Sequence, residues 1–459
     1  MNVLITNSHE PQAYTILRCL RPDAEKIVIT VGEASVGGPV GGDSFQGMAA
    51  FSRFVDARYK VPHFAGEWLA GRLADGNSAA EEAYIRRIEE ICRLEKVDVI
   101  YPSLDPEVYL FAKNKQRFAQ QGILTVVADP DVIRIPMDKA LTIQLAQRVG
   151  FPCPRTWFPD SPADVERIPL ESSPPWIVKP RFTAHGANMI YVEDAAELRD
   201  AYSRVSSAQH SPIIQEYVEG GLRRNYYVTV GRDSEILSIL TPQVMRTQKV
   251  GFKVSSKSCV SASTGPCVEE LRALLRELGL WGGYTVQTQI DPRDGQPKLL
   301  EINPRLGQHL WWRTGLGVNE PQICLQLARG ETPSGNLRFP DGVLLLEPDH
   351  DFFILLDKFI YAAFEFLSRL AGRGDKTGWS ARQDPSETFL ATLALRRREY
   401  LNRRPKVLCP EVSNLLVDPY PCLRWFWFRM RPRFRYIRRR LSLALGFSGG
   451  DGQEIGVIQ

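Results

Sequence analysis

The chain has 459 residues, 44% hydrophobic and 24% charged, with a formal net charge of +4, the balance of a soluble globular protein of about three domains. Its eight cysteines are scattered, with no Cys-x-x-Cys pair and no histidine cluster, which argues against a zinc site or a disulfide framework and points to a reducing cytoplasm. The start, Met1 to Asn7, lacks a basic n-region and a long apolar core, so it reads as a first strand and not as a secretory signal.

The first 110 residues alternate strand and helix patterns, and a further helix and strand follow to Val127. Strands are expected at Val3 to Thr6, Lys26 to Val31, Val97 to Tyr101 and Ile123 to Val127. Helices are expected at Tyr14 to Leu20, Ala79 to Leu94 and Val108 to Gln121. This is the βαβ rhythm of an open parallel sheet. Ligands of such sheets sit beyond the carboxyl ends of the strands, which makes Asn7, Ser8, Ser103, Asp105 and Glu107 candidate substrate contacts, with turn residues and helix caps as the alternative. The glycine-rich stretch Gly32 to Gly47 has no well-placed Gly-x-Gly-x-x-Gly at a strand-helix junction and reads as a loop.

Asp138-Lys139 opens a helical pattern, Ala140 to Val149, that stops at Gly150 and is followed by Pro152 and Pro154. Pro174 to Pro180 reads as a buried strand delivering Lys179, and a second strand is expected at Met189 to Val192. The loop between them, Arg181 to Asn188, holds a single glycine. Its main-chain amides can cradle an anion, with Arg181 and His185 adding charge. Pro212 to Gly220 is a further apolar segment, and Tyr226 to Val230 a further strand.

Two apolar stretches, Tyr284 to Ile290 and Pro297 to Ile302, flank Asp291-Pro292-Arg293-Asp294-Gly295, which reads as a hairpin turn. That hairpin brings Gln287 beside Glu301. Asn303, two residues further on, faces the same side. One carboxylate and two amide oxygens suit Mg²⁺, a hard cation that completes its octahedron with phosphate oxygens and water. Arg305 then offers a guanidinium fork to a phosphate beside the metal.

The spacing of Gln287 and Glu301-Ile302-Asn303-Pro304-Arg305 resembles the metal-binding end of the ATP-grasp superfamily, above all carbamoyl-phosphate synthase large subunits and related carboxylate-amine ligases. Residues of roughly 130 to 330 carry this resemblance. It implies that Lys139 and Lys179 contact ATP phosphates, that main-chain groups of Glu216 and Val218 read the adenine, and that Glu219 meets the ribose. It also implies an α/β fold with a small Rossmann-like parallel-sheet domain at residues 1–128 and an ATP-grasp domain at 129–334, and the change of composition beyond them marks a basic, mostly helical extension at 335–459. ATP and Mg²⁺ are the implied cofactors. The implied reaction activates a carboxylate as an acyl phosphate for attack by an amine. Arg246, in Val244 to Lys249, is a candidate for holding the acceptor carboxylate, with a surface arginine as the alternative. A nucleotide sensor without turnover, or an interaction protein with a vestigial ATP-grasp fold recruited to a membrane, are the competing readings.

Phe352 to Ala371 is strongly apolar but interrupted by charge, with Asp357, Tyr361, Glu365 and Arg369 forming a polar stripe, so a packed or interfacial amphipathic helix fits better than a transmembrane span. Residues 391 to 440 carry fourteen Lys and Arg against three acids, a local net charge of +11 that leaves −7 for the rest of the chain. Within them, 424 to 440 interleaves aromatics with arginine. An anionic membrane surface reached through residues 420–440, docking on the protein itself or on a second subunit, and nucleic acid are the three readings, the last the weakest. A cytoplasmic enzyme, peripheral at the inner membrane surface if the first reading holds, is expected.

Overall fold

The computed structural model describes residues 1–32, 47–64, 76–183, 188–219, 222–250, 253–307, 309–370, 389–401, 404–409 and 416–444. Five strands open the chain: β1 (Asn2–Ile5), β2 (Lys26–Gly32), β3 (Ala57–Val61), β4 (Val99–Tyr101) and β5 (Leu124–Thr125). They form one sheet in the order β3-β2-β1-β4-β5, every pair parallel. Parallel strands linked by helical crossovers are covered on both faces, which is why Val3, Leu4, Ile5, Ile27, Val28, Ile29 and Ile100 are unbroken apolar runs, all buried. The helix Ala79–Glu95 begins at a reciprocal cap. The Ser78 hydroxyl accepts from the Glu81 amide at 3.3 Å, and the Glu81 carboxylate accepts from the Ser78 amide at 2.8 Å.

Two structures differ here from expectation. The expected helix Val108 to Gln121 is two helices, Asp105–Lys113 and Lys115–Ala119, broken at Asn114, whose side-chain amide donates to the Leu110 carbonyl at 2.8 Å. An edge strand, β3, was not expected from its charged, alternating Ala-Arg-Tyr-Lys-Val pattern. The expected loop at Gly32 to Gly47 falls largely on residues 33–46, outside the described residues.

Two antiparallel four-stranded sheets follow. The first contains β6 (Thr156–Trp157), β7 (Trp176–Lys179), β8 (Ile190–Val192) and β9 (Ile213–Glu216) in the order β6-β9-β7-β8. Its apolar side packs on the helix Leu198–Ala208, with Trp176, Val178, Ile214 and Tyr202 in the core between them. The second contains β10 (Arg223–Val230), β11 (Ile236–Leu240), β14 (Gly282–Ile290) and β15 (Pro297–Asn303) in the order β11-β10-β14-β15. Gly283 is required in β14, because a Cβ there would meet Leu306 at 2.3 Å and the Glu320 carboxylate at 2.9 Å. That close approach seats the helix Glu320–Ala328, whose Glu320 is fully buried and ion-paired to the equally buried Arg313.

The chain divides into two compact units. Residues 1–244 and 261–341 form the first, and 245–260 with 342–459 form the second. In the second, β13 (Lys253–Val260), next to β12 (Gln243–Val250), pairs antiparallel with β16 (Leu344–Leu346), which pairs parallel with β17 (Lys406–Leu408). Long helices, Pro348–Leu370, Phe389–Tyr400 and Pro419–Ala444, make up most of the remainder. No helix among the described residues is long and apolar enough to cross a membrane. Of the expected polar stripe, only the Asp357 side chain lies within the described residues.

Candidate active site

The hairpin of β14 and β15 is closed by its own main chain, Asp291 donating to the Gln296 carbonyl at 2.9 Å and Gly295 to the Asp291 carbonyl at 2.7 Å. The Asp291 carboxylate, buried and paired with Arg293, is held below its ordinary range chiefly by that guanidinium. From the turn the pairing runs to Thr288 opposite Leu299, and a one-residue register shift between Gln287 and Thr288 then places Gln287 opposite Glu301 and Thr285 opposite Asn303. The Asn303 amide lies 3.5 Å from the Glu301 carboxylate. Three oxygen-bearing side chains therefore share one end of the hairpin.

Two lysines meet this end. Lys139 is the first residue of the helix Lys139–Val149, which Asp138 caps by accepting from the Ala140 amide at 2.9 Å and which Gly150 ends in a left-handed conformation. The same Asp138 carboxylate accepts from Arg181 Nε at 2.9 Å, tying the helix start to the segment after β7. Lys139 Nζ lies 3.3 Å from the Glu301 carboxylate and donates to the Thr183 carbonyl at 3.3 Å. Lys179, the last residue of β7, donates to Gln215 Oε1 at 2.5 Å. The two sit diagonally across β7 and β9, since Lys179 pairs with Ile213 and Ile177 with Gln215.

The electrostatics follow from this crowding. Burial pushes the Lys179 ammonium down to about 8, opposed by Glu301 and reinforced by Lys139 and Arg223. Burial works against ionisation of Glu301, but Lys139, then Lys179 and Asn303, hold its carboxyl below the ordinary value. A helix N-terminus already carries partial positive charge and disfavours a cation in its first turn, so Lys139 stands where only a nearby anion stabilises it. Lys139 and Lys179 act on the Glu301 carboxylate, and Arg223 adds positive charge near Lys179. One carboxylate against these cations leaves the site net positive.

At the other sheet, Glu216 ends β9, and Val218 and Glu219 follow it. The Glu216 amide donates to the Arg155 carbonyl at 2.9 Å, the Val218 carbonyl accepts from Gln289 at 2.7 Å, and the Glu216 carboxylate pairs with Arg293. Val218 is buried and Glu219 exposed. Arg305 is also engaged, its Nε 2.9 Å from one Asp105 oxygen and a terminal nitrogen donating to the other at 3.0 Å. His185 lies at residues 184–187, outside the described residues, and Arg246 belongs to β12 with its side chain outside them.

The parallel sheet supplies the remaining polar cluster. Glu107, fully enclosed, accepts from the Thr6 and Tyr84 hydroxyls at 2.6 Å each, and burial raises its carboxyl to about 7 against those bonds. Ser103 donates to the Thr6 carbonyl at 2.7 Å, and Asn7 turns with a positive φ of 51°. Two residues of the site carry no expectation from sequence, Gln215 beside Lys179 and Arg223, whose charge acts on Lys179, while Asp138 and Asp105 are singled out there but not as the partners of Arg181 and Arg305. Gln215 had a sequence signal, a glutamine directly after the two isoleucines of the short strand Ile213–Glu216.

With this geometry in view, the comparisons with known proteins agree with one another. Residues 137–308 match the family model described as ATP-grasp domain, and residues 74–127 match that of the PylC-like N-terminal domain. The carbamoyl phosphate synthase large chain of Thermus thermophilus is 27% identical over 248 residues, which is 50% of this chain and 24% of that protein. That of Halomonas eurihalina is 25% identical, covering 48% of this chain and 22% of that one. The chain thus spans about a quarter of the length of the curated relatives it matches. Among solved structures, a biotin carboxylase from Campylobacter jejuni superimposes with a TM-score of 0.57 at 14% identity over 74% of both chains. An L-amino acid ligase from Bacillus licheniformis superimposes with a TM-score of 0.51 at 18% identity, over 72% of this chain and 74% of that one. At such identities the likeness concerns the fold. The segment that matches the ATP-grasp domain model, residues 137–308, is the one that holds Lys139, Lys179, Gln287, Glu301 and Asn303.

Proposed function

We propose that the protein is an ATP- and Mg²⁺-dependent ligase that activates a carboxylate as an acyl phosphate and passes the acyl group to an amine or related nucleophile. The observation that carries this reading is the Gln287, Glu301 and Asn303 group at the end of one hairpin, facing the buried Lys139 and Lys179. In this proposal residues 1–128 form a substrate-facing domain, 129–334 the nucleotide-binding and catalytic domain, and 335–459 an extension.

Among the described residues no three His, Cys, Asp or Glu side chains gather as metal ligands. The donor set of one carboxylate and two amides still fits Mg²⁺, because phosphate oxygens and water supply the rest of an octahedron. When bound, Mg²⁺ would neutralise charge on the phosphates there. Lys139 and Lys179 would hold ATP phosphates, and Glu216, Val218 and Glu219 the nucleoside. Arg305 would exchange Asp105 for the transferring phosphate and acyl phosphate, with His185 in the loop above and Arg246 on the acceptor carboxylate.

In the reaction, a substrate carboxylate oxygen attacks the γ-phosphorus in line and ADP leaves. The nucleophile then adds to the acyl carbon, and inorganic phosphate departs. Such transfer needs positioning and charge neutralisation more than a protein nucleophile. Lys179 at a pKa of about 8 loses part of its charge above neutral pH in the free protein, so nucleotide binding should restore it.

Incubating the full chain with ATP, Mg²⁺ and pooled amino and hydroxy acids tests the reading. ADP release that depends on the acid pool, with a new product mass, supports it. ATP binding without ADP release would instead favour a sensor.

A further inference from the structure

The helix Pro419–Ala444 holds eight arginines and no acidic residue. One of its faces is committed inside its own unit. Cys422 is buried, the Phe426 ring meets Phe352 and Phe353 at 6.2 and 5.6 Å, and the Arg429 and Arg433 guanidinium groups lie 5.1 and 4.6 Å over Phe353. Arg433 also grips Asp357 with both prongs of its guanidinium, its Nε donating at 2.6 Å.

The other face has a regular composition. Tyr420, Trp427 and Phe434 are 55%, 55% and 48% exposed, and Arg424, Arg431 and Arg438 are exposed beside them. Each set repeats every seven residues. Seven residues complete two turns with a drift of only about 20°, so these are two lines along the helix, one aromatic and one of arginine. They are adjacent, because each arginine follows an aromatic by four positions. The Trp427 and Phe434 rings are 6.0 Å apart, and Leu423, 58% exposed, extends the apolar line.

We propose that this face docks on a bilayer surface bearing anionic phospholipid headgroups, with the helix lying in the interface and not crossing it. Aromatic rings suit the headgroup boundary, and arginines beside them reach lipid phosphates. Pairing of this helix with its counterpart in a second copy would oppose arginine to arginine, with no acid in the helix to answer. A nucleic acid would use the arginines and rings but has no use for the other apolar side chains this unit exposes. Phe352, Phe359 and Phe366 are 50%, 55% and 63% exposed, also at intervals of seven, and Leu390 is 73% exposed.

The test is co-sedimentation of the full chain with vesicles of phosphatidylcholine alone or with a quarter phosphatidylserine, across a salt series. Binding should require the anionic lipid and weaken as salt rises. Each basic residue at such a surface contributes about 5-fold, so the Arg424→Gln, Arg431→Gln, Arg438→Gln triple variant should partition roughly 100-fold less. Trp427→Ser with Phe434→Ser should weaken the part of binding that survives high salt. All substituted side chains are exposed, and an unchanged thermal melt identifies any loss as a loss of contact. Equal partitioning onto neutral and anionic vesicles, or none onto either, overturns the proposal. So does a dimer, seen by analytical ultracentrifugation, that the Trp427 and Phe434 substitutions dissolve, or tighter binding to single-stranded polyuridine than to anionic vesicles.

Discussion

The two compact units finish their surfaces in opposite ways. The first turns charge inward: Lys139, Lys179, Arg313 and Glu320 are all buried, and only four of its large apolar side chains stand exposed among the described residues. The second unit, less than a third of the chain, exposes fourteen of the eighteen such side chains while pairing Arg396 with Asp351 and Arg433 with Asp357 beneath them. Buried ions cost desolvation energy and are kept where chemistry or specificity uses them. Exposed aromatics cost solubility and are kept where something covers them. One unit is organised around a polar interior site, the other around an outer surface.

The sharpest way to break the first half of that contrast is to orphan a buried charge. Arg313 and Glu320 are both fully enclosed, and Glu320 also accepts from Thr229 at 2.7 Å. Arg313→Met should destabilise the protein by about 3–5 kcal/mol by leaving a lone carboxylate inside. Burial already raises the Glu320 carboxyl in spite of Arg313. A buried acid with a raised folded pKa binds more protons folded than unfolded, so the loss should shrink as pH falls. Denaturant titration at several pH values checks both. A variant as stable as the parent would show that the pair does not organise this core.

Glu301→Gln keeps size and removes the one formal charge among the proposed metal donors. Turnover with Mg²⁺ should fall on the order of 100-fold or more, with the melting temperature nearly unchanged. Lys179→Ala should weaken ATP binding on the order of 10- to 100-fold, the range for a buried charged hydrogen bond. Because burial lowers this lysine to about 8, affinity in the parent should decline as pH rises through that value, and the variant should lack that limb. Nucleotide titration from pH 6.5 to 9.5 reads it directly, with circular dichroism as a control.

The smallest effect belongs to the second unit. Arg433→Gln should cost about 1–2 kcal/mol by releasing Asp357 and the ring of Phe353. Calorimetry of the full chain should show that loss without any change in nucleotide affinity. A parallel fall in affinity would mean that the two units do not act separately.

How much of this was legible in the sequence depended on distance along the chain. The hairpin of β14 and β15 could be read from two apolar runs about a short turn, and Gln287 does meet Glu301, but through a one-residue register shift next to Thr288 that the turn does not announce. The βαβ rhythm was equally readable, since each strand is continuous apolar sequence. The edge strand β3 was not, because its charged alternation is what an edge requires and what a loop also shows. Nor was the Arg305 to Asp105 pair, which joins residues 200 positions apart. The tail showed its arginines and aromatics, yet which of them point inward depends on Phe353 and Asp357, residues of another helix. Whether Arg305 reaches phosphate is likewise a question about its partner and not about its own motif.

The central claim, activation of a carboxylate through an acyl phosphate, has one direct measurement. The full chain is supplied with ATP, Mg²⁺ and the acid it ligates, the carboxyl oxygens of that acid carrying heavy isotope, and the released inorganic phosphate is weighed by mass spectrometry. Attack by the carboxylate on the γ-phosphorus predicts one heavy oxygen in each phosphate formed with product. Phosphate of natural mass, formed alongside product, would contradict the account.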